Sequence, residues 1–356
     1  MKKALAAAML GTLLAAGAVP ADGSRVPEES AVLALSPEMG RFLARRIRPG
    51  LVRQARLQEL IDVIFSPEGL EITYGNTRTR TAEETFKARN GNCLSFTVMF
   101  VAMARHLGLN AYFREVDEVT SWDQRGNVVV TGRHMYAEVE ADNGLTQVDF
   151  LPGTGKVYRS TRRIRTPRVY AHFYSNLGVE RLTAGRPLEA VALFERALDN
   201  DARFSQALVN LGVAYRRLGD AARAEESFLR ALEVDPGEMA AATNLAALYL
   251  GRGRQAEAEP WLERVGGYLR RNPFHHFRLG LRAARREDLE AASGHIREAI
   301  RRRSGEALFH LELARVQERI GRHEEARASL RRALALANEE ERRPIRAFQR
   351  ELDSTL

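Results

Sequence analysis

The residues best suited to chemistry are one cysteine and a few polar residues that follow it. Cys93 is the single cysteine of the 356 residues, and it follows Asn92 at the start of an apolar run that ends at Gly108. Asn is a frequent helix N-cap and Gly a frequent C-terminal stop, so we expect Cys93 in the first turn of a largely buried helix. Free backbone N–H groups and the positive end of the helix dipole stabilise a thiolate there and can bind an oxyanion.

A thiolate nucleophile needs a histidine that holds a proton and passes it to the leaving group. Of the eight histidines, six lie between residues 172 and 323, within predicted helical repeats. His106 is on the predicted helix of Cys93, well over two turns away, and cannot reach the thiol. His134 remains, and it opens an alternating segment that predicts a strand up to Glu140.

Asp149 lies on the next predicted strand. Asp142-Asn143-Gly144 is a strong turn signal, and the segment from Leu145 to Phe150 returns as a second strand. For a loop of two or four residues, even-numbered residues of the first strand face the same way as odd-numbered residues of the second. His134 and Asp149 then share one side of the sheet, where even a diagonal contact lets the carboxylate orient the imidazole.

Three short motifs therefore follow one another: Arg-x-Gly-x-Cys at a helix start, a His that opens a strand, and Val-Asp on the next strand. This order resembles the transglutaminase-like superfamily over roughly Glu71 to Pro152. The resemblance implies a papain-like α+β fold with Cys93, His134 and Asp149 as the catalytic triad. Members often have an aromatic residue soon after the His and a Pro after the Asp, whereas this chain has Met135-Tyr136 and Asp149-Phe150-Leu151-Pro152.

Each member of the triad also has an ordinary structural interpretation. Cys93 could be a buried core thiol, His134 a capped strand end and Asp149 a surface carboxylate near a turn. Their order and context favour the triad. Three further polar residues are candidates to support it or to bind an oxyanion: Asn90, Asn92 and Tyr136.

The C-terminal half repeats itself with a period of 34 residues. The triplets that begin at Asn176, Asn210, Asn244, Arg278 and Glu312 mark five copies. Glycines fall where each first helix must turn into the second, at Gly185, Gly219, Gly253 and Gly321, and Glu287 takes that place in the fourth copy. The pattern resembles the tetratricopeptide repeat, which implies an all-α solenoid whose groove binds a protein or peptide.

The predicted organisation has five parts. Residues 1–21 have the charged start and short apolar stretch of a secretory signal peptide, with a retained membrane anchor as the alternative. Residues 22–152 are the transglutaminase-like domain with its N-terminal helices, and 153–170 are a linker. Residues 171–340 are five repeats, and 341–356 are a capping helix. We therefore expect a periplasmic or secreted protein without a membrane span after signal removal.

Composition argues against other functional classes. The net charge is +8 and the pI near 9.9, but the arginines are spread over segments that also carry many glutamates, so we expect no nucleic-acid partner. His275-His276 and His310 lack the cysteines or carboxylates of a zinc site, so we expect neither a metal nor a cofactor.

The sequence thus predicts an exported thiol-dependent protein that hydrolyses an amide or transfers an acyl group, with repeats that bind a protein or peptide. The alternative is a non-catalytic envelope scaffold in which both domains mediate protein–protein interaction.

Overall fold

The computed structural model describes residues 26–74, 78–125, 128–150, 158, 160–337 and 339–354. The predicted signal peptide, residues 1–21, lies outside these described residues. The chain divides into two compact units, Met1–Ala258 and Glu259–Leu356.

The first unit begins with an α+β domain. Its helices are α1 (Glu29–Val32), α2 (Pro37–Arg46), α3 (Arg53–Phe65), α4 (Ala82–Ala88) and α5 (Cys93–His106). Two short strands, β1 (Thr73–Tyr74) and β2 (Asn90–Gly91), pair in parallel. The main sheet is antiparallel in the order β5-β4-β3-β6 and consists of β3 (Asn110–Arg125), β4 (Val128–Ala141), β5 (Gly144–Val148) and β6 (Thr161–Ile164).

The central element of this domain is α5. Every residue from Leu94 to Ala104 is buried, because the helix is apolar on all sides and is covered on all sides. Its apolar side chains share one core with Phe113 of β3 and Val139 of β4. The helix stops before Gly108, whose φ of 74° is a backbone conformation that glycine adopts freely.

Helix pairs follow the α+β domain. They are α6 (Thr166–Thr183), α7 (Pro187–Asn200), α8 (Ser205–Arg217), α9 (Ala221–Val234), α10 (Met239–Gly251), α11 (Gln255–Arg271), α12 (Pro273–Arg285), α13 (Leu289–Arg302), α14 (Ala307–Ile320) and α15 (His323–Leu336). The last helix is α16 (Glu339–Ser354), and Ile345 and Leu352 of this helix share a core cluster with Leu330 of α15. The predicted fold class, an α+β domain followed by tetratricopeptide-type helices, is confirmed.

The predicted turn column of the repeats has left-handed backbone in all five copies. The four glycines have φ between 72° and 86°. Glu287 has φ 63° although it carries a side chain, which confirms that the turn geometry persists where the glycine is missing. The repeat geometry therefore tolerates this strain at one copy.

The first helix pair packs into the core of the α+β domain. Phe173 of α6, Leu193 of α7 and Phe204 belong to the same apolar cluster as Phe100 of α5 and Phe113 of β3. Within the predicted linker 153–170, residues 161–164 form β6 and α6 begins at Thr166. The two modules are therefore joined by a shared core.

A buried ionic cluster reinforces this joint. Glu115 of β3 is fully buried, and its carboxylate accepts hydrogen bonds from Arg162 Nη2 at 2.9 Å and Arg168 Nη2 at 3.3 Å. His172 Nε2 of α6 lies 3.3 Å from the same carboxylate. Burial alone would raise the pKa of Glu115, but His172 and the two guanidinium groups outweigh it and lower that pKa. The carboxylate thus stays ionised between the sheet and α6.

Close approach within a helix pair makes a first prediction. A methyl group added at Gly280 of α12 would lie 2.5 Å from Ile296 Cγ1, whereas one added at Gly294 of α13 would meet nothing within 4 Å. Gly280→Ala should therefore lower the free energy of unfolding by about 1–3 kcal/mol through overpacking. Gly294→Ala should raise it by up to about 1 kcal/mol through helix propensity.

Chemical denaturation followed by circular dichroism measures both variants. If Gly280→Ala and Gly294→Ala changed the free energy of unfolding equally and in the same direction, the close packing of α12 against α13 would be contradicted.

Candidate active site

The cysteine is at the start of a helix whose N-terminus is fixed by hydrogen bonds. Cys93 is the first residue of α5 and is half-buried. Asn92 is the N-cap, and its Oδ1 accepts hydrogen bonds from Ser95 N at 2.9 Å and Ser95 Oγ at 3.0 Å. The expected cap and first-turn position of Cys93 are both present. Backbone N–H groups at such a helix N-terminus can stabilise an oxyanion.

A close backbone approach lies immediately before the cap. A Cβ at Gly91 would lie 2.9 Å from Ser95 Cβ and 3.4 Å from Thr85 Cγ2 of α4. A larger residue would therefore push β2 away from α5. Glycine at this position lets the chain enter α5 tightly packed.

The β4–β5 hairpin brings the predicted histidine and aspartate together. A two-residue loop, Asp142-Asn143, separates the strands, and Ala137 pairs with Val148, so His134 and Asp149 are diagonal neighbours on one face. His134 Nε2 lies 2.7 Å from Asp149 Oδ1. Their side chains are only 2% and 4% exposed, so the pair is shielded from water.

The thiol group of Cys93 is the second group that acts on the pKa of the His134 imidazole. Burial alone would lower the pKa of His134. The bonds and charges of Asp149 and Cys93 outweigh this effect and raise the pKa to about 9. His134 is therefore protonated at neutral pH.

A second anchor fixes α5 against the strand that carries His134. The Thr97 hydroxyl donates to the Cys93 carbonyl at 2.7 Å and lies 3.3 Å from the Met135 carbonyl. Met135 directly follows His134. Thr97 thus connects α5 to β4 at a point one helical turn after Cys93 and one residue after His134.

Tyr158 is a member of this site that the motifs did not indicate. Its hydroxyl donates to Asp149 Oδ2 at 2.6 Å, so both carboxylate oxygens are engaged. Its ring stacks on Tyr136 at 5.6 Å and lies 5.5 Å from the His134 ring. Burial, then the bond to Asp149, raises the pKa of the Tyr158 phenol, which keeps it a hydrogen-bond donor. No motif marks it, because it lies in the predicted linker.

The three supporting residues proposed from sequence have different positions. Asn92 caps α5, and Tyr136 contributes its ring to the stack with Tyr158. Asn90 is directed away, because its Nδ2 lies 3.2 Å from both the carbonyl and the hydroxyl of Thr73 on β1. Tyr74, next to Thr73, was not foreseen. Burial, followed by electrostatic interaction with Cys93 and Asp149, raises the pKa of its phenol.

Two of the three repeat histidines that were considered for a metal have local hydrogen-bond partners. His276 Nε2 bonds to the Arg270 carbonyl at 3.0 Å, and His310 Nε2 to the Ser304 carbonyl at 3.1 Å. Over the part of the chain that the structure describes, no group of three His, Cys, Asp or Glu side chains is placed to hold a metal ion. Within those same ranges, no helix has the length and apolar character needed to cross a membrane.

Comparison with family models agrees with both halves of the structure. Residues 42–150 match the transglutaminase-like superfamily. Residues 176–238, 214–268 and 277–341 match the tetratricopeptide repeat. The chain therefore joins a transglutaminase-like domain to tetratricopeptide repeats, which are protein- or peptide-binding modules.

Solved structures are similar to about half of the chain. MamA 41-end from Desulfovibrio magneticus RS-1 is 24% identical, with 47% of this chain and 94% of that chain covered and a TM-score of 0.28. MamA AMB-1 is 30% identical, with 48% and 94% covered and a TM-score of 0.26. YrrB, a TPR protein with an unusual peptide-binding site, is 17% identical, with 51% and 92% covered and a TM-score of 0.27. No curated protein matches the chain.

The charge arrangement at His134 makes a second prediction. Asp149→Asn removes the negative charge but keeps an oxygen for the imidazole. The pKa of His134, about 9 in the native protein, should fall towards its ordinary value of 6.5. An NMR titration of the ring measures this fall.

Asp142→Asn, in the hairpin loop, is the matched control and should leave the pKa of His134 unchanged. If the pKa of His134 stayed near 9 in Asp149→Asn, the negative charge of Asp149 would not be the cause of the raised pKa.

Proposed function

We propose that this chain is a thiol-dependent enzyme that hydrolyses an amide or transfers an acyl group, and that its repeats bind the protein or peptide partner. The observation that carries the proposal is the buried 2.7 Å contact between His134 Nε2 and Asp149 Oδ1, together with the position of Cys93 at a helix N-terminus and its effect on the pKa of the same imidazole. Three interacting groups of these types favour nucleophilic catalysis over a structural role.

The first half of the reaction forms a thioester. The Cys93 thiolate attacks the carbonyl carbon, and the electrons of the C=O bond move onto the oxygen. Backbone N–H groups at the start of α5 stabilise this oxyanion. The carbonyl re-forms as the C–N bond breaks, and the His134 imidazolium gives its proton to the leaving amine. Asp149 holds the ring in the required orientation throughout.

The second half releases the acyl group. Water or an amine attacks the thioester carbon while neutral His134 removes its proton. The C–S bond then breaks, the Cys93 thiolate returns, and His134 is again an imidazolium. Hydrolysis and transfer differ only in this second nucleophile.

The groove of the repeats is the proposed partner site. A repeat module on the same chain as the active site would raise the local concentration of a bound substrate. Residues 1–21 begin with positive charges and continue with an apolar stretch, which supports export to the periplasm or out of the cell. The second candidate function is a non-catalytic scaffold, which is favoured by the presence of an interaction module over much of the chain.

Removal of the sulfur tests the enzyme proposal directly. Cys93→Ala should abolish turnover of peptide amide and ester substrates, because no other group can form the thioester. The half-buried position of Cys93 lets Ala be accommodated, so circular dichroism and the unfolding midpoint should stay close to those of the native protein. Full turnover in folded Cys93→Ala would refute thiol catalysis.

The pH dependence of alkylation separates the enzyme from the scaffold. An ordinary thiol reacts slowly with iodoacetamide at pH 6, since few molecules are thiolates. If the chain is the proposed enzyme, the His134 imidazolium and the N-terminus of α5 activate the thiol, so Cys93 should react at pH 6 nearly as fast as at pH 8. In His134→Gln, which has no positive charge, the rate at pH 6 should drop by at least about tenfold relative to pH 8. A native protein with the same steep dependence as this variant would favour the scaffold.

A further inference from the structure

A polar connection runs from the first helix of the repeats to the residue that precedes the nucleophile. Glu180 lies near the end of α6, and its Oε1 accepts a hydrogen bond from Thr79 N at 2.7 Å. Thr79 is buried and lies in the segment before α4. An α6 side chain thus supplies the partner of a buried backbone N–H in the transglutaminase-like domain.

The connection continues from Thr79 to the helix cap. Asn92 Nδ2 donates to Thr79 Oγ1 at 3.0 Å, while the Oδ1 of the same amide caps α5. Arg80 N, the next backbone donor, bonds to Ser95 Oγ at 2.9 Å. Residues 79 and 80 therefore form hydrogen bonds with both the N-cap Asn92 and the first-turn residue Ser95 of α5, which lie on either side of Cys93 in the sequence.

The strength of this connection comes from burial. Asn92, Ser95 and Thr79 are all buried, so water cannot replace a lost partner at low cost. Burial raises the pKa of Glu180, and the hydrogen bonds from Thr79 offset this rise only in part. A charged or neutral carboxyl retains an oxygen that can accept from Thr79 N.

We infer that Glu180 is a positioning residue of the thiol centre, acting through Thr79 and Asn92 to fix the start of α5, so that the first repeat is part of the active site's support. The inference rests on the proposed thiol chemistry and deepens it. None of these hydrogen bonds joins Glu180 directly to Cys93 or His134. Its effect is transmitted by residues 79 and 80 to the cap and the first turn of α5.

The experiment compares full-length Glu180→Ala with Glu180→Gln. Ala leaves the Thr79 N–H without its acceptor, which should shift segment 79–80 and loosen the cap. We expect kcat and the rate of iodoacetamide alkylation of Cys93 at pH 6 to fall about tenfold, with KM changed less than about twofold. Gln keeps an amide oxygen for Thr79 N and should restore both rates to near the native values. Glu233→Ala, at an exposed glutamate of α9, is the control and should match the native protein.

A second variant covers the case in which Glu180→Ala does not fold. Thr79→Val keeps the backbone bond to Glu180 and the side-chain shape but removes the acceptor for Asn92, so it should reproduce the loss in alkylation, and Thr79→Ser should restore it. Native rates in folded Glu180→Ala or in Thr79→Val would overturn the inference, as would equal losses in Glu180→Ala and Glu180→Gln.

The alkylation readout needs no substrate. If the native protein turned over no amide or ester, the proposed function would fail, while the comparison of alkylation rates would still decide whether Glu180 positions the thiol.

Discussion

The whole arrangement depends on the burial of α5. Its residues from Leu94 to Ala104 are covered on every side, so the helix has one position in the domain and its N-terminus is the point where the core meets solvent. The polar residues of its first turns, Ser95 and Thr97, form hydrogen bonds that fix this end of the helix. Cys93, at the first residue of this helix, is half-exposed and carried by a fixed helix end, as the proposed role of nucleophile requires.

Much of the site could be predicted because its information is local. The Asn cap, the apolar run and the final Gly determine α5, and turn residues between two alternating segments determine the β4–β5 hairpin. Strand parity then places His134 and Asp149 on one face, and the observed two-residue loop preserves that parity. The assignment of catalytic roles to these residues stays a prediction.

The parts that escaped prediction depend on distant partners. No strand was predicted over β3, where Phe113 is buried in a core but Glu115 interrupts the apolar alternation. Glu115 is tolerated because Arg162, Arg168 and His172 surround it, and none of these is near it in sequence. Tyr158 belongs to the same category: its role appears only when the chain returns to Asp149.

The sequence motifs of the two families meet near residue 170, but the packing has no division there. Residues of α6 and α7 lie in one apolar core with α5 and β3, and the carboxylates of Glu115 and Glu180 form polar contacts across the same joint. An interface with a continuous core and buried ion pairs resists the rigid-body motion expected of domains on a flexible linker. The first repeat therefore has two roles: it begins the protein-binding module, and it completes the fold that holds Cys93 in place.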